Sequence, residues 1–361
     1  MFVEVTPGSP TCGRGHGVRG NEVSPPSQER PNVTMRMVAS ASGVHVSTVS
    51  RVLRRAAMGE PPLSETDVRI LRIAADMRYV VNPNAASLTT KRSTAFGVLV
   101  PSLTDTVLAT IYDSVENTAK AAGFETFVAN THDDPAEQSR RIELLLGRHV
   151  DGLILGDAHL DGASLTALKR RGVRFVLVSR RSTDHLSITG DDHHGGYLAG
   201  RHLAGLGHRV IGIVAGPGWA STSVDRVDGC VAGAADGGVT IRPAHIVEAG
   251  FEVHSGREGA AELLSSPEPP TAIFTVNDLS AIGVYGELRR RGLRPGHDVA
   301  VIGYNDLPLS AELPVPLTTL RSPLDEMGRL AVETLLSLLE GKDMESVRLR
   351  PELRIRESTR P

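Results

Sequence analysis

Short apolar runs alternate with longer amphipathic stretches along most of the chain. The runs are four or five residues long, rich in Val, Ile and Leu, and lie at 96–100, 152–155, 175–178, 210–214, 272–276 and 299–302. Apolar runs of this length, separated by helix-length segments, are typical of buried parallel strands joined by crossover helices. The pattern therefore predicts an α/β region over 93–361.

The chain before residue 93 has a different periodicity. Small and apolar residues recur with helical spacing on both sides of a break at Gly43, and a second amphipathic run covers 64–77. These segments predict three short helices in an all-α unit over 32–80, followed by a hinge or linker over 81–92. Residues 1–31 are rich in Gly, Pro and Ser and poor in apolar residues, so we expect a disordered extension there.

Charge divides the chain in the same way. The net charge of −3 combines a net +5 over 33–92, from nine Lys and Arg against four Asp and Glu, with a net −8 over 93–361. Basic residues concentrated in one segment indicate contact with a polyanion, because Lys and Arg displace counterions from phosphates. On charge alone, a merely solvated basic face is an equal alternative.

Length and composition exclude several classes of protein. A chain of 361 residues with 40% hydrophobic residues has room for more than one packed unit. No apolar run approaches the roughly 20 residues of a membrane span, and no secretory signal is recognisable. The two cysteines, Cys12 and Cys230, suggest neither a disulfide framework nor a metal cluster. We expect a cytoplasmic protein without membrane contact, cofactor or metal.

The stretch most informative about function is 43–53, which reads Gly-Val-His-Val-Ser-Thr-Val-Ser-Arg-Val-Leu. Gly43 ends one helix, and the next helix presents Val46, Ser47 and Arg51 outward and packs its other valines inward. A helix presented in this way fits the major groove of DNA, where base edges are distinguishable. The alternative is an ordinary helical bundle.

This stretch, with Val33, Thr34, Val38 and Ala39 before it, resembles the head of the LacI/GalR family of bacterial transcription regulators. The resemblance implies that the second helix reads bases and contacts phosphates or the groove. The DNA-binding residues that it implies in the head are Thr34, Val46, Ser47, Thr48, Ser50 and Arg51.

Three departures from the family's pattern concern the head. Met37 stands where the family has an Asp that closes a capping box with Thr34, and His45 stands where it has the Ser that caps the recognition helix. Because a lost cap costs about 1 kcal/mol, we expect a less stable head. The loop 54–62 is also longer than in the family.

The segment 79–88 resembles the family's hinge, which folds into a short helix on operator DNA. By that resemblance Asn82, Ala85 and Leu88 contact DNA, and Leu88 is the candidate wedge that opens a base step in the minor groove. Ala86 stands in place of the family's hinge Arg, so we expect a weaker electrostatic contribution in the groove.

Polar groups follow the predicted strands of the larger region, at 101–105, 179–180, 191–192, 216–226, 277–278 and 305–306. In parallel α/β sheets, ligands bind beyond these carboxyl ends. The region also resembles the family's core, which implies a two-lobed fold of periplasmic-binding-protein type, with parallel sheets and a ligand cleft. By position, the candidate ligand-binding residues are Asp105, Arg226, Asn277 and Asn305. Asn305 departs from the Asp that is frequent in sugar-binding members.

Two features of the larger region allow alternative interpretations. Trp219 stacks on a ligand or packs on its own lobe. The sequence Asp191-Asp192-His193-His194 has the composition of a metal site, but it lies where the family has a lobe-connecting Asp and a helix start. No Walker A, G-x-S-x-G or H-E-x-x-H motif occurs.

Together these features predict a transcriptional repressor rather than an enzyme. We expect it to bind double-stranded operator DNA. A small polar effector, a sugar or sugar derivative, is expected to change the affinity for that DNA. Because such heads read two half-sites with two-fold symmetry, we expect a homodimer. The first alternative is a sugar-binding module without DNA function, and the second is an α/β enzyme.

Overall fold

A computed structural model describes residues 33–57, 59–79 and 93–360, which form two compact units, one before residue 80 and one after residue 92. The predicted extension over 1–31 lies outside these ranges, as do the predicted hinge contacts of Asn82, Ala85 and Leu88. Within the described ranges, no helix is both long and apolar enough to cross a membrane.

The smaller unit, which we call the head, contains the three predicted helices, α1 Met35–Ser42, α2 Val46–Ala57 and α3 Glu65–Asp76. Val38, Val49 and Ile70 are fully buried at their junction. Helix α1 ends at Gly43, whose φ of 64° lies in the left-handed region, where a residue with a Cβ is strained. This turn sets the direction in which α2 leaves α1.

The long loop between α2 and α3 is tied to both helices through Arg55. Its guanidinium donates from Nε to Glu60 at 2.8 Å, from Nη2 to the carbonyl of Pro61 at 3.0 Å and from Nη1 to Asp67 at 3.3 Å. Asp67 also accepts from the backbone N–H of Leu63 at 3.0 Å, and this bond lowers the pKa of its carboxyl group. The carboxyl-terminal end of this loop is therefore anchored to both helices.

The larger unit, which we call the core, is α/β over 93–360. Its strands are β1 Ala95–Val100, β2 Glu125–Asn130, β3 Gly152–Leu155, β4 Phe175–Val178, β5 Ser187–Gly190, β6 Ile211–Ala215, β7 Ile246–Glu248, β8 Ala272–Thr275, β9 Ala300–Asn305, β10 Thr318–Arg321, β11 Val347–Leu349 and β12 Glu352–Arg354. Its helices are α4 Thr106–Ala121, α5 Pro135–Gly147, α6 Ala163–Arg170, α7 Asp192–Gly205, α8 Ser221–Asp236, α9 Val253–Leu264, α10 Asp278–Arg290, α11 Pro308–Ala311 and α12 Leu324–Leu339.

The core strands form two sheets. The sheet of lobe 1 has the order β11-β5-β4-β3-β1-β2 and is parallel, and that of lobe 2 has the order β12-β10-β9-β8-β6-β7 and is parallel except for the β10–β12 pair. Between residues 93 and 360 the chain crosses between the lobes three times, after β5, β10 and β11. This topology confirms the predicted two-lobed architecture with parallel sheets.

Six of the strands match the predicted apolar runs, and for β2 and β10 the structure shows why no such run marks them. Strand β2 is an edge strand with partly exposed residues, so its hydrophobic signal is weak. Strand β10 begins with Thr318 and Thr319, which are fully buried although polar. Their hydroxyls are hydrogen-bonded, for example from Thr319 to Asp278 at 2.6 Å. Polar residues that satisfy one another inside the core leave no apolar run to recognise.

Helices α7 and α8 pack against each other with their backbones in contact. A Cβ added to Gly196 would lie 2.1 Å from the carbonyl oxygen of Arg226, and one added to Gly200 would lie 2.1 Å from that of Cys230. A Cβ on Gly229 of α8 would likewise lie 2.0 Å from the carbonyl oxygen of His193. Glycine is required at this crossing, and the close approach fixes the position of Arg226 in lobe 2.

Candidate ligand cleft and DNA-binding helix

The carboxyl ends of β1, β4, β8 and β9 converge on one small cleft in the core. It is lined by Asp105, Val107, Leu108, Ser179, Arg180, Thr222, Arg226, Phe251, Asn277 and Asn305. The four candidate ligand residues from the sequence are thus brought together. The cavity has a volume of about 30 Å³, which admits a few water molecules at most. The lobes are closed on each other in this structure.

Arg226 is buried at the base of the cleft and already has partners. Its Nε donates to Asp192 at 2.7 Å and its Nη1 to the carbonyl of Val276 at 2.6 Å, while the guanidinium carbon lies 3.7 Å from the ring centre of Tyr304. Burial opposes the charged form of Arg226, but Asp192 and Tyr304 together outweigh it and raise the pKa of the guanidinium. These two bonds use two of the five N–H donors of the guanidinium, so donors remain on its two terminal nitrogens.

The other three candidate residues also have structural partners. Asp105 caps α4 by accepting from the N–H of Val107 at 2.9 Å, and Asn277 caps α10 by accepting from the N–H of Ser280 at 2.8 Å. Asn305 accepts from the Ser322 hydroxyl at 3.1 Å. Burial raises the pKa of the Asp105 carboxyl, although its backbone hydrogen bonds lower it in part.

Arg180 and two aromatic rings close the mouth of the cleft. From lobe 1, Arg180 forms a two-bond ion pair with Asp133, at 2.5 and 3.3 Å. Its guanidinium carbon lies 5.1 Å from the ring centre of Trp219 and 5.6 Å from that of Phe251, both in lobe 2. Trp219 stacks on His159 of lobe 1, with the ring centres 4.2 Å apart. Trp219 therefore packs on the opposite lobe, which neither sequence interpretation described.

A second ion pair spans the mouth beside the first. Arg181 of lobe 1 donates from Nε and Nη2 to Asp225 of α8, at 2.9 and 2.6 Å. The backbone N–H of Arg181 also donates to the hydroxyl of Ser221 at 2.9 Å. Together with the Trp219 contacts, these bonds hold the two lobes together beside the cleft.

The charges of the cleft are balanced from within. Each guanidinium that borders it has its own carboxylate, Asp192 for Arg226 and Asp133 for Arg180. Asp105 adds a further carboxylate to the lining. The cleft therefore offers hydrogen-bond donors and acceptors without a net positive charge.

In the head, α2 carries the predicted DNA-binding residues on one side. Ser47 and Arg51 are exposed, Val46, Thr48 and Ser50 are half-buried, and their neighbours Val49 and Val52 are buried in the head. Over 33–57 and 59–79, Arg51 makes no hydrogen bond or ion pair. Thr34 is exposed before α1, where its hydroxyl accepts from the N–H of Met37 at 3.4 Å. Ser47 and Arg51 thus face outward as the sequence predicts, whereas Val46, predicted outward as well, is half-buried and packs against the apolar cluster of the head.

The first turn of α2 differs from expectation. His45 precedes the helix, and its carbonyl accepts from the N–H groups of Thr48 and Val49 at 2.9 and 3.3 Å. Its ring Nδ1 accepts from the N–H of Ser47 at 3.3 Å and lies 2.7 Å from the Ser47 hydroxyl. The histidine thus supplies the cap that its replacement of serine was expected to weaken.

The acidic and histidine-rich sequence at the start of α7 serves packing. Asp191 caps this helix by accepting from the N–H of His194 at 3.2 Å, and Asp192 pairs with Arg226. Within the described part of the chain, no group of three or more His, Cys, Asp or Glu side chains is arranged to hold a metal ion.

Comparison with known proteins finds relatives over nearly the whole chain. The family model for a periplasmic binding protein-like domain matches residues 201–359. The HTH-type transcriptional repressor PurR of Haemophilus influenzae (strain PittEE) is 31% identical over 334 residues, which covers 91% of this chain and 98% of the relative.

Two solved structures share this architecture. The lac repressor dimer bound to operator and the anti-inducer ONPF matches with a TM-score of 0.82 at 27% identity, over 91% of this chain and 99% of that one. The transcriptional regulator CelR in complex with cellobiose matches with a TM-score of 0.69 at 28% identity, over 91% of this chain and 100% of that one.

Proposed function

The chain belongs to the LacI/GalR family of transcriptional regulators, and on that premise we propose that it represses transcription as an operator-bound homodimer whose DNA affinity is changed by an uncharged sugar. It is a DNA-binding regulator with a ligand-binding core rather than an enzyme. Operator DNA is cytoplasmic in bacteria, so the cytoplasm is the proposed location.

DNA binding is proposed for the outward side of α2, with Val46, Ser47 and Arg51 nearest the bases. The support is that α2 exposes Ser47 and Arg51, of which Arg51 has no ion pair within the described head, on a helix whose opposite side is buried. A helix of this kind reads the major groove with its N-terminal residues. Thr34, Thr48 and Ser50, with Asn82, Ala85 and Leu88 of the hinge, complete the proposed contacts.

An uncharged effector is proposed for the cleft, and the observation that carries it is the internal neutralisation of Arg226 by Asp192. An anionic ligand would need an unpaired cation, whereas both arginines of the cleft are paired with carboxylates. Hydroxyl groups instead need mixed donors and acceptors, which Asp105, Asn277 and Asn305 supply. CelR is solved with cellobiose, a ligand of this class.

A ligand panel tests this proposal. Thermal shift and calorimetry with ribose, glucose and cellobiose, their phosphorylated or carboxylated derivatives and glucosamine should give binding only among the uncharged sugars. In Asp192→Asn, Arg226 loses its counter-charge, so binding should move towards the anionic derivatives. The matched control is Asp225→Asn at the mouth, which should keep the preference of the wild type. Binding of phosphorylated sugars alone by the wild type would contradict the proposal.

Operator binding is tested with DNA from upstream of the protein's own gene. A gel shift of the full chain with this DNA should show a complex, and a sugar identified by the panel should change its stability. Sugar binding without any DNA complex would favour the alternative of a sugar-binding module.

The homodimer is proposed to form through an apolar groove of about 930 Å³ along α10 of the core. The groove is lined mainly by apolar surface from Ile282, Tyr285, Leu293, Leu313 and Val315. We assign it to a second copy because the lac repressor, which matches over 91% of this chain, is a dimer. Ile282→Asp should give a monomeric mass in light scattering, whereas Leu206→Asp, at an exposed leucine outside the groove, should stay dimeric.

A further inference from the structure

At the start of α2, the His45 ring lies within hydrogen-bond distance of both the backbone N–H and the hydroxyl of Ser47. These contacts fix which group donates and which accepts. We propose that His45 holds the Ser47 hydroxyl as a hydrogen-bond acceptor towards DNA, so that Ser47 selects a base that donates, adenine or cytosine, at one operator position. This inference rests on the proposed placement of α2 in the major groove. His45 is then a positioning residue, because it acts on the base through Ser47.

The geometry determines which atom carries each proton. The backbone N–H of Ser47 can only donate, and it points to Nδ1 of His45 at 3.3 Å. Nδ1 must therefore be the unprotonated, accepting nitrogen of the ring. The Ser47 hydroxyl lies 2.7 Å from the same nitrogen, and two acceptors cannot bond to each other. The hydroxyl proton is therefore directed at His45, where it shares the single lone pair of Nδ1 with the longer contact from the N–H.

This arrangement changes what the serine offers to a partner. A serine hydroxyl has one proton and two lone pairs and usually rotates to suit either a donor or an acceptor. With its proton committed to His45, Ser47 retains only its lone pairs. Ser47 is exposed in the first turn of α2, the part of a recognition helix that contacts base edges.

The major groove distinguishes bases that donate from bases that accept. Adenine N6 and cytosine N4 are donors there, whereas guanine O6 and N7 and thymine O4 are acceptors. A free serine contacts either kind, but an accepting serine is matched only by a donor. One hydrogen bond gained or lost corresponds to a preference of about 3- to 10-fold.

An ordinary helix cap is the competing interpretation. A cap needs only an acceptor for an N–H of the first turn, and Ser, Thr, Asp or Asn supplies it best. The second contact, from the hydroxyl to the same ring nitrogen, has no role in a cap. Ser64 provides the comparison within the head, because it caps α3 by accepting from the N–H of Asp67 at 3.2 Å and lies outside α2.

The experiment measures base preference with the full chain. Wild type, His45→Ala, Ser47→Ala, the double variant and the control Ser64→Ala are each incubated with a duplex pool randomised across two half-sites, and the bound DNA is sequenced. The position that loses its preference in Ser47→Ala is the one that Ser47 reads. In the wild type this position should favour adenine or cytosine on the contacted strand by about 3- to 10-fold. Each base pair presents a donor on one strand and an acceptor on the other, so the contacted strand is identified by replacing the exocyclic amino group with hydrogen on each strand in turn.

The variants separate positioning from capping. In His45→Ala the hydroxyl is free to donate, so that position alone should accept all four bases nearly equally, and the double variant should match Ser47→Ala. Ser64→Ala should lower the melting temperature and the affinity for all sequences without changing the profile. Melting curves identify any variant that does not fold.

Three results would overturn the inference, and one of them also concerns the proposed function. A preference for guanine or thymine on the contacted strand in the wild type would overturn it even if His45→Ala failed to fold. An unchanged profile in His45→Ala with uniformly weaker binding would leave His45 as a cap only. If no position depends on Ser47 in a chain that still selects sequence, the proposed use of α2 also fails.

Discussion

Arg51 in the head and Arg226 in the core are both guanidinium groups predicted to hold a ligand, and their surroundings are opposite. Arg51 is exposed and has no ion pair among the described residues, whereas Arg226 is 6% exposed and held by Asp192, Val276 and the Tyr304 ring. The difference fits the two proposed ligands. A polyanion is attracted by charge left free at the surface, but a small uncharged ligand needs fixed donors whose charge is already balanced.

An arginine side chain also contributes differently to the free energy of folding in the two regions. A surface arginine contributes little to folding, so its loss is felt only when DNA is present. A buried arginine with one carboxylate partner leaves an uncompensated charge when it is removed. Substitutions in the two regions should therefore affect binding in the head and stability in the core.

The largest effect is expected for Arg226→Ala. It leaves Asp192 buried without its counter-charge, which should lower the free energy of unfolding of the core by about 3–5 kcal/mol. Urea unfolding measures this loss. Replacing both members of the pair with Leu should recover most of the stability while the response to effector stays absent. If the free energy of unfolding fell by less than about 1 kcal/mol in the single variant, Arg226 would contribute no more to stability than a surface arginine does.

A smaller effect, confined to DNA, is expected for Arg51→Ala. Operator affinity should fall about 10-fold, because a charge-assisted hydrogen bond is lost, and the slope of log affinity against log salt should fall by about 1. The urea midpoint of the head should not change. Arg69→Ala removes another exposed arginine, on α3, and serves as the control. Equal losses in both variants would mean that only the overall basic field of the head matters.

The smallest effect is expected for Arg181→Ala, at the mouth of the cleft. Its ion pair with Asp225 is partly exposed, so stability should fall by only about 0.5–1 kcal/mol. Because this pair holds the closed mouth, the effector should associate about 2- to 5-fold faster, measured by stopped-flow fluorescence of Trp219. Arg140→Ala breaks an exposed pair within lobe 1 and should leave this rate unchanged. A slower association rate in Arg181→Ala would argue against the mouth as the entrance.

The head could be predicted closely from the sequence, whereas the cleft could be predicted only in part. The turn at Gly43 and the outward residues of α2 depend on contacts within one short segment, which local periodicity records. The charge balance of the cleft depends on pairs that are distant in sequence. Asp192 lies 34 residues from Arg226, and Asp133 lies 47 residues from Arg180. No local pattern marks such partners.

Two further features show the same limit. Strand β10 is not recognisable as an apolar run because its buried threonines form hydrogen bonds inside the core. At His45, substitution rules treat histidine as a poor cap, and only the position of Nδ1 shows that it accepts from Ser47. In both cases polar groups satisfy each other in three dimensions, which hydrophobic pattern and residue preference do not record.

The backbone contact between α7 and α8 has a mechanical consequence. Arg226 lies on α8, and its carbonyl is in contact with Gly196 of α7, the helix that begins directly after the chain crosses from lobe 1. Contacts between backbones cannot be absorbed by a change of rotamer, so we expect the two helices to move together. A molecule that displaced Arg226 would therefore be expected to shift the strand connection at Gly190 and Asp191 as well.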